Sequence, residues 1–380
     1  MQKIVLAVAL ATASLPALSA ESTVPSNEEL YEIILAQQEE IDRLVGARKD
    51  VSEGQTSIGG YGELHYNNLD SGSEIDFHRF VLFFNHAFTD NIRFFSELEL
   101  EHSLAGEGKP GEVEIEQAYV EFDANDDTRL KAGLFLVPVG LLNETHEPPT
   151  FYGVERNPIE SSIIPSTWWE AGAAVSGNLG ASGISYDFGL HSGLAVGDNF
   201  SIRSGRQKVA DALAEDLAVS GRLKYTGVAG LEIAASVLHQ SDLTQGAVPG
   251  GITGTLLETH ARWNTGPLTL TALYARWDLS SELPETLPPG FAGVAGPEAL
   301  GKDVQDGYYV EGSWRFNETL GVFARHNTCD NGGIDDTEKS QINVGLNYWP
   351  HRNVVVKFDL QDQGKSADDD GFNIGLGYQF

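Results

Sequence analysis

The sequence predicts an all-β chain, a 16-stranded antiparallel transmembrane β-barrel with a short N-terminal coiled-coil helix. Three observations predict it. From Ile58 onward apolar side chains recur with a period of two through sixteen segments. The connections between those segments alternate between long and short. Segments that run toward the short connections finish on aromatic residues.

The N-terminus comes first. Lys3 supplies a positive start, Ile4 to Leu10 and the alanines after it an apolar core, and Ala17-Leu18-Ser19 a small-x-small cleavage site. Residues 1–20 therefore read as a secretory signal peptide, too short for a membrane helix. No cysteine follows the cleavage region, which argues against a lipoprotein. No run of about 20 apolar residues occurs in the mature chain, so helical membrane spans are excluded.

Residues 21–54 read as a periplasmic coiled-coil segment and linker. Leu30, Ile34, Gln37, Ile41 and Leu44 are spaced four, three, four, three, the a/d seam of heptads, with charged Glu39, Glu40 and Arg43 beside it. Fewer than about three heptads cannot hold a coiled coil alone. The segment is expected to act as an oligomerising stub on a larger body. The other reading is an amphipathic helix packed on its own domain.

Residues 55–380 carry the barrel. The strands are expected near 58–67, 75–88, 91–103, 112–123, 128–137, 166–177, 182–192, 216–226, 230–240, 254–264, 268–278, 305–316, 319–328, 338–348, 353–360 and 371–380. An even count suits a closed bacterial barrel whose ends share one side. Long connections follow odd-numbered strands, as at 138–165, 193–215 and 279–304. Short ones follow even-numbered strands: Thr89-Asp90, Ala124 to Asp127, Asn178 to Ala181, Thr265 to Pro267, Asn317-Glu318 and Trp349 to Arg352. Outer-membrane barrels keep short periplasmic turns and longer outer loops. Phe88, Phe122, Tyr225, Trp263, Phe316, Tyr348 and Phe380 close even-numbered strands, which predicts a ring of aromatics at one membrane interface.

Alternation separates two faces. In the last strand Phe372, Ile374, Leu376, Tyr378 and Phe380 share one face, and Asn373, Gly375, Gly377 and Gln379 the other. The second face is charged and glycine-rich in many strands, so it is expected to line a wet lumen, while closure satisfies the backbone in lipid. The strand at 75–88 alternates poorly, because Phe83 and Phe84 are both apolar; it is expected to pack on a subunit or a folded-in loop.

Composition bounds the partners. Lys and Arg number 24 against 55 Asp and Glu, a formal charge of −31, which argues against nucleic acid as a partner. One cysteine, Cys329, cannot form an internal disulfide. No G-x-S-x-G, His-Glu-x-x-His or cysteine cluster occurs among the 10 histidines and this one cysteine, so neither an enzyme, a metal site nor a cofactor is expected. Gly60-Tyr61-Gly62 and Gly375-Leu376-Gly377 sit inside strands and read as relief of curvature.

The most informative segment is the longest loop, Glu147-Pro148-Pro149-Thr150-Phe151-Tyr152-Gly153-Val154-Glu155-Arg156-Asn157-Pro158-Ile159-Glu160, then Ser161 to Pro165. Prolines restrict it, and Phe151, Tyr152, Ile163 and Ile164 are too apolar for a free surface loop. Folded into the barrel, it would narrow the pore and bring Glu155, Arg156 and Glu160 near the solute path. Its other seat is a subunit interface. The stretch from Glu147 to Gly177, with Tyr152-Gly153-Val154-Glu155-Arg156 and Ile164-Pro165-Ser166-Thr167-Trp168-Trp169-Glu170, resembles the phosphate-selective porin O/P family. The heptads, the sixteen strands and terminal Phe380 are similar as well, so the resemblance covers nearly the whole mature chain. It implies a homotrimeric outer-membrane porin in contact with lipid and lipopolysaccharide. The family's basic pore ladder does not align here residue by residue.

Lumen charge is readable from parity. Arg93, Arg129, Lys131, Arg222, Lys224, Arg262 and Arg315 point inward near the periplasmic ends, while Glu97, Glu99 and Glu101 climb toward the outer mouth. Lys357 and Asp359 share one inner face, and the loops add Asp335-Asp336 and Asp368 to Asp370. An acidic entrance above a basic inner half would bias which ions enter. Wall-stiffening ion pairs are the alternative. The expected function is passive diffusion of small hydrophilic solutes or inorganic anions, with phosphate among the candidates. The second reading is a structural or adhesive barrel that binds lipopolysaccharide through divalent cations.

Overall fold

The computed structural model describes residues 54–281 and 296–380. The expected signal peptide and heptad seam lie outside the described residues. The strands are β1 (Thr56–Leu69), β2 (Gly72–Thr89), β3 (Ile92–Glu101), β4 (Val113–Asn125), β5 (Thr128–Leu136), β6 (Trp169–Asn178), β7 (Ile184–His191) and β8 (Ala218–Tyr225). They continue as β9 (Leu231–Gln240), β10 (Ile252–Thr265), β11 (Leu268–Ser281), β12 (Val304–Asn317), β13 (Leu320–Asp330), β14 (Lys339–His351), β15 (Val354–Lys365) and β16 (Gly371–Gln379). Each of the sixteen expected segments is a strand.

Every strand pairs antiparallel with its neighbours in sequence, and β1 closes the ring on β16 from Tyr61↔Gln379 to Leu69↔Gly371. Closure leaves no edge, which is what lets a sheet exist in hydrocarbon. The Phe380 amide donates to the Gly60 carbonyl at 2.8 Å, and the Gly60 amide to the Phe380 carbonyl at 3.0 Å. The last residue thus extends the seam. We expect deletion of Phe380 to lower the folded, heat-modifiable fraction in the membrane. Unchanged yield and gel mobility would contradict that role for the seam.

Outward parity is apolar, as expected: Ile374, Leu376, Leu360, Val356, Val344 and Ile342 are all exposed on the outer face. Phe88, Phe122, Trp263, Phe316, Tyr348 and Phe380 are exposed and Tyr225 half-buried, which forms the girdle. β2 does alternate. Phe84 is exposed, while Phe83 turns inward, its ring 5.8 Å from Tyr61. One connection departs from the expected pattern: β1 and β2 extend until only Asp70 and Ser71 join them on the side of the long loops.

The larger departure is inside. The interior is not uniformly polar. Leu238, Leu256, Leu273, Ala275, Trp277 and Tyr309 point inward from β9 to β12, and form one buried cluster with Ile159, Ile163, Ile164 and Trp168 of one loop and Leu194, Val196, Phe200 and Ile202 of another. Two outer loops thus fill part of the lumen, and apolar burial holds them there. The signal was present in strands such as 268–278, where Leu273, Ala275 and Trp277 on one face match Leu270, Ala272 and Tyr274 on the other.

Candidate functional site

The loop between β5 and β6, residues 137–168, turns into the barrel. Bare wall makes room for it. A Cβ at Gly377 would overlap Pro148, one at Gly321 would overlap the Tyr152 hydroxyl, and one at Gly375 would sit 3.1 Å from Val154. Gly375 and Gly377, read from sequence as relief of curvature, are thus the floor on which the loop lies.

Three sets of bonds fix the loop. At its base, the Glu160 carboxylate accepts from the Leu141 and Leu142 amides, each at 2.6 Å, and from Asn157 and the Tyr309 hydroxyl, each at 3.0 Å. On the apolar side, the Trp277 indole donates to the Ile163 carbonyl at 2.9 Å, and its ring lies 6.3 Å from that of Trp168. At the tip, Lys357 donates to the Gly153 carbonyl at 2.8 Å with its ammonium 3.5 Å from the centre of the Phe151 ring. Asp359 accepts from the Val154 amide at 2.8 Å, and Asn347 donates to the Phe151 carbonyl at 3.1 Å.

The three loop residues singled out in the sequence separate in role. Glu155 lies against β1, its Oε1 2.9 Å from His65 Nδ1 and 3.0 Å from Asn67 Nδ2. Burial pushes that carboxyl up, but the hydrogen bond and charge of His65, with the charge of His78 and then the Asn67 bond, outweigh it and hold it down to about 2, so its charge persists across the physiological range. Arg156 is half-buried and donates to the Thr167 hydroxyl at 3.3 Å. Glu160 departs from the expected place in the solute path. It is 0 % exposed and spends its oxygens on loop donors.

The wall charges lie on the inner face as parity required, but mostly in pairs. Arg222 donates to Glu144 and to Asp187, Arg93 to Glu121 and Asp123, and Arg129 lies 3.6 Å from Asp123. Lys224 lies 3.9 Å from Glu232, and Lys131 sits over the Phe135 ring at 4.7 Å. Of the acids, Glu99 pairs with Arg79 at 3.3 Å and Glu97 accepts from Gln117 at 2.8 Å, while Glu101 is half-buried at the strand end. Pairing of this kind cancels much of the field that unpaired charges would project.

Sequence reasoning missed Arg203 and Arg206. Both belong to residues 192–217, the loop after β7. Arg203 donates to the Ser161 and Ser166 carbonyls, and Arg206 to the Pro165 and Thr167 carbonyls. With Arg156 on Thr167, three guanidiniums converge on one stretch of loop. Among the described residues none of the three has a carboxylate within ion-pair distance. Arg203 is exposed at the loop surface; desolvation by the surrounding loops, and then the neighbouring Arg206 and Arg156, lower it, and it stays charged at neutral pH. No spacing in the sequence announces this cluster, because it exists only once two loops have met.

Known proteins agree with this architecture. Residues 55–248 match the family model described as phosphate-selective porin O and P. An uncharacterized protein of Aquifex aeolicus is 30% identical over 352 residues, 85% of this chain and 80% of that one. Among solved structures, the anion-selective porin from Comamonas acidovorans superposes with a TM-score of 0.59 at 13% identity, covering 86% of this chain and 100% of that one. The Salmonella typhi OmpF complex with daunomycin gives 0.58 at 11% identity, covering 86% and 98%. The trimer form of OmpT from Vibrio cholerae gives 0.56 at 11% identity, covering 87% and 100%. A closed, girdled barrel with a loop folded into its lumen is the frame of a diffusion channel of the bacterial outer membrane, and this chain belongs to the phosphate-selective porin O and P family.

Proposed function

We propose that this porin passes small hydrophilic solutes with a modest preference for anions, and that Arg156, Arg203 and Arg206 supply it. The observation that carries this reading is the convergence of three guanidiniums on Pro165 to Thr167 without a carboxylate partner among the described residues. Like charges held together gain most when an anion arrives, and low-dielectric walls focus their field. The paired wall bases Arg129, Arg222 and Lys224 contribute less, and Lys131 adds to the same sign. Loop acids in open water are screened within about 10 Å at ordinary salt. That is why a formal charge of −31 does not decide the matter. The Comamonas protein is an anion-selective channel of the same fold.

The test is the reversal potential in a salt gradient across a planar bilayer. Wild type is expected on the anion side, Arg156→Gln with Lys131→Glu shifted toward cations, and Asp368→Asn with Asp370→Asn little changed except at low salt. A wild-type channel that is cation-selective at moderate salt overturns the reading and turns attention to Glu99 and Glu101. A chain that opens no channel at all would favour the adhesive reading, in which exposed Asp70 and Asp368 with half-buried Asp370 hold divalent cations against lipopolysaccharide.

We also propose a homotrimer whose N-terminal segment, residues 21–54, sits in the periplasm. The heptad seam and the trimeric Vibrio cholerae neighbour support it. Ile34→Asp with Ile41→Asp is expected to weaken the oligomer while the barrel still inserts, because barrel closure does not involve those residues. Sedimentation in detergent that shows an unaltered trimer removes the seam from this proposal.

A further inference from the structure

A β-bulge in β4 shapes a second site near the loop base. Glu97 pairs with Gln117 and Leu98 with Ile115, so Glu116 is the extra residue between them. A bulge re-aims side chains, and this one turns Glu116 inward, where it is 0 % exposed beside Glu97 at 1 %. His146 of the loop meets both and is 3 % exposed. Its Nδ1 lies 3.1 Å from the Asn143 carbonyl, and Asn143 is itself held by the carbonyls of Val137 and Trp168 at 2.7 and 2.9 Å. A ring that gives its Nδ1 proton to a backbone carbonyl presents the Nε2 lone pair outward, the usual posture of a metal-binding histidine.

That nitrogen faces two carboxylates. Nε2 is 3.5 Å from Glu97 Oε1 and 3.5 Å from Glu116 Oε2. Neither contact is a hydrogen bond, and His146 Nε2, Glu116 Oε1 and Glu116 Oε2 are buried with no hydrogen-bond partner among the described residues. A proton on Nε2 would pair with both carboxylates at these distances, and a metal ion would compete with it for the same three groups. Separations of 3.5 Å also match the edge of a coordination shell, since metal–ligand bonds of about 2.1 Å at tetrahedral angles place ligand atoms about 3.4 Å apart. The surrounding bonds are those of a supported ligand set. Gln117 donates to the other Glu97 oxygen at 2.8 Å, and the Tyr61 ring stands edge-on to His146 at 5.7 Å.

We propose that Glu97, Glu116 and His146 bind a divalent first-row transition ion that pins the base of the lumen loop to the wall. One imidazole with two carboxylates suits Zn²⁺ or Mn²⁺ over Ca²⁺ or Mg²⁺, which prefer all-oxygen shells. Two carboxylates neutralise the dication, so the ion enters a buried site without net charge. The site joins β3 and β4 to residue 146, which the ladder of strands does not otherwise connect. It is independent of the ion preference proposed above.

The test uses the full-length porin folded in detergent, stripped with EDTA and re-equilibrated with Zn²⁺ alone. After gel filtration the wild type is expected to retain about one Zn²⁺ per chain. His146→Gln and Glu116→Gln should each weaken retention by about tenfold or more. Asp76→Asn, at the separate Asp76–His78–His102 cluster, should retain the ion. Should a variant fail the heat-modifiability check for folding, the wild type loaded with Co²⁺ decides. Weak visible bands of nitrogen and oxygen ligands support the site, and thiolate bands would place the ion at Cys329 and overturn it. Wild type that keeps no Zn²⁺, His146→Gln that keeps as much as wild type, or loss on Asp76→Asn alone each overturns the proposal.

Discussion

Glu160→Ala should give a channel that is wider, noisier and open to protease at Arg156. The carboxylate is wholly buried and accepts from two amides, one side-chain amide and one hydroxyl. Removing it strands four donors, each costing about 1–3 kcal/mol where water cannot replace the acceptor. A net loss of about 3 kcal/mol moves the docking of the loop by roughly a hundredfold. Glu160→Gln should be milder, since its oxygen can keep both backbone amides and the Tyr309 hydroxyl can turn to accept from the new amide nitrogen, which leaves only the Asn157 side chain without its acceptor. Single-channel recording with limited trypsin digestion reads both effects. Wild-type conductance together with a trypsin-resistant loop would show that the loop is held by other means.

Trp277→Ala should be at least as severe by a different route. The indole is 0 % exposed, packs on Trp168 and donates to the Ile163 carbonyl. Emptying a buried tryptophan site costs about 3–5 kcal/mol. Trp277 meets the loop from the inner face of β11, so that cost falls on loop docking and spares the strand ladder. The variant should therefore insert and keep its heat-modifiable mobility while its conductance rises. Trp168→Ala should produce the same channel, and the double variant should fall well short of the sum, because each change empties the same contact. Strict additivity, or loss of the folded barrel itself, would show that Trp277 braces the wall.

The barrel was legible because its physics is periodic. Each strand sees lipid on one side, so Ile374, Leu376 and their counterparts repeat every second residue. Each short turn ends near an interface, so Phe88 and Phe316 mark the level. The candidate site was legible only in part. Phe151, Ile163 and Ile164 are too apolar for water, which predicted that the loop folds against something, and the barrel interior is where it lies. The partners were not legible. Glu160 looked like a pore-lining charge, since sequence does not show that Leu141, Leu142 and Tyr309 converge on it. Arg203 and Arg206 looked like ordinary loop residues. Glu116 was not singled out, although the apolar phase of β4 switches from odd at Val113 and Ile115 to even at Val120 and Phe122, which is the trace of the bulge. The wall bases were placed correctly on the inner face, but their pairing depends on which strands are neighbours and on Glu144 arriving from the loop.

The tip of the lumen loop touches the first and the last strands at once. Asn67 holds Glu155 from β1, while Gly375 and Gly377 of β16 lie beneath Val154 and Pro148. Those walls become neighbours only when the ring shuts, and a contact such as Val154 with Asp359 spans 205 positions of chain. Contacts so distant in sequence form late. A half-assembled chain therefore has no floor on which to lay its own constriction, and the narrowing is installed as the final step. The constriction therefore depends on the closure of β1 on β16, so a change that weakens that seam also loosens the loop that narrows the pore.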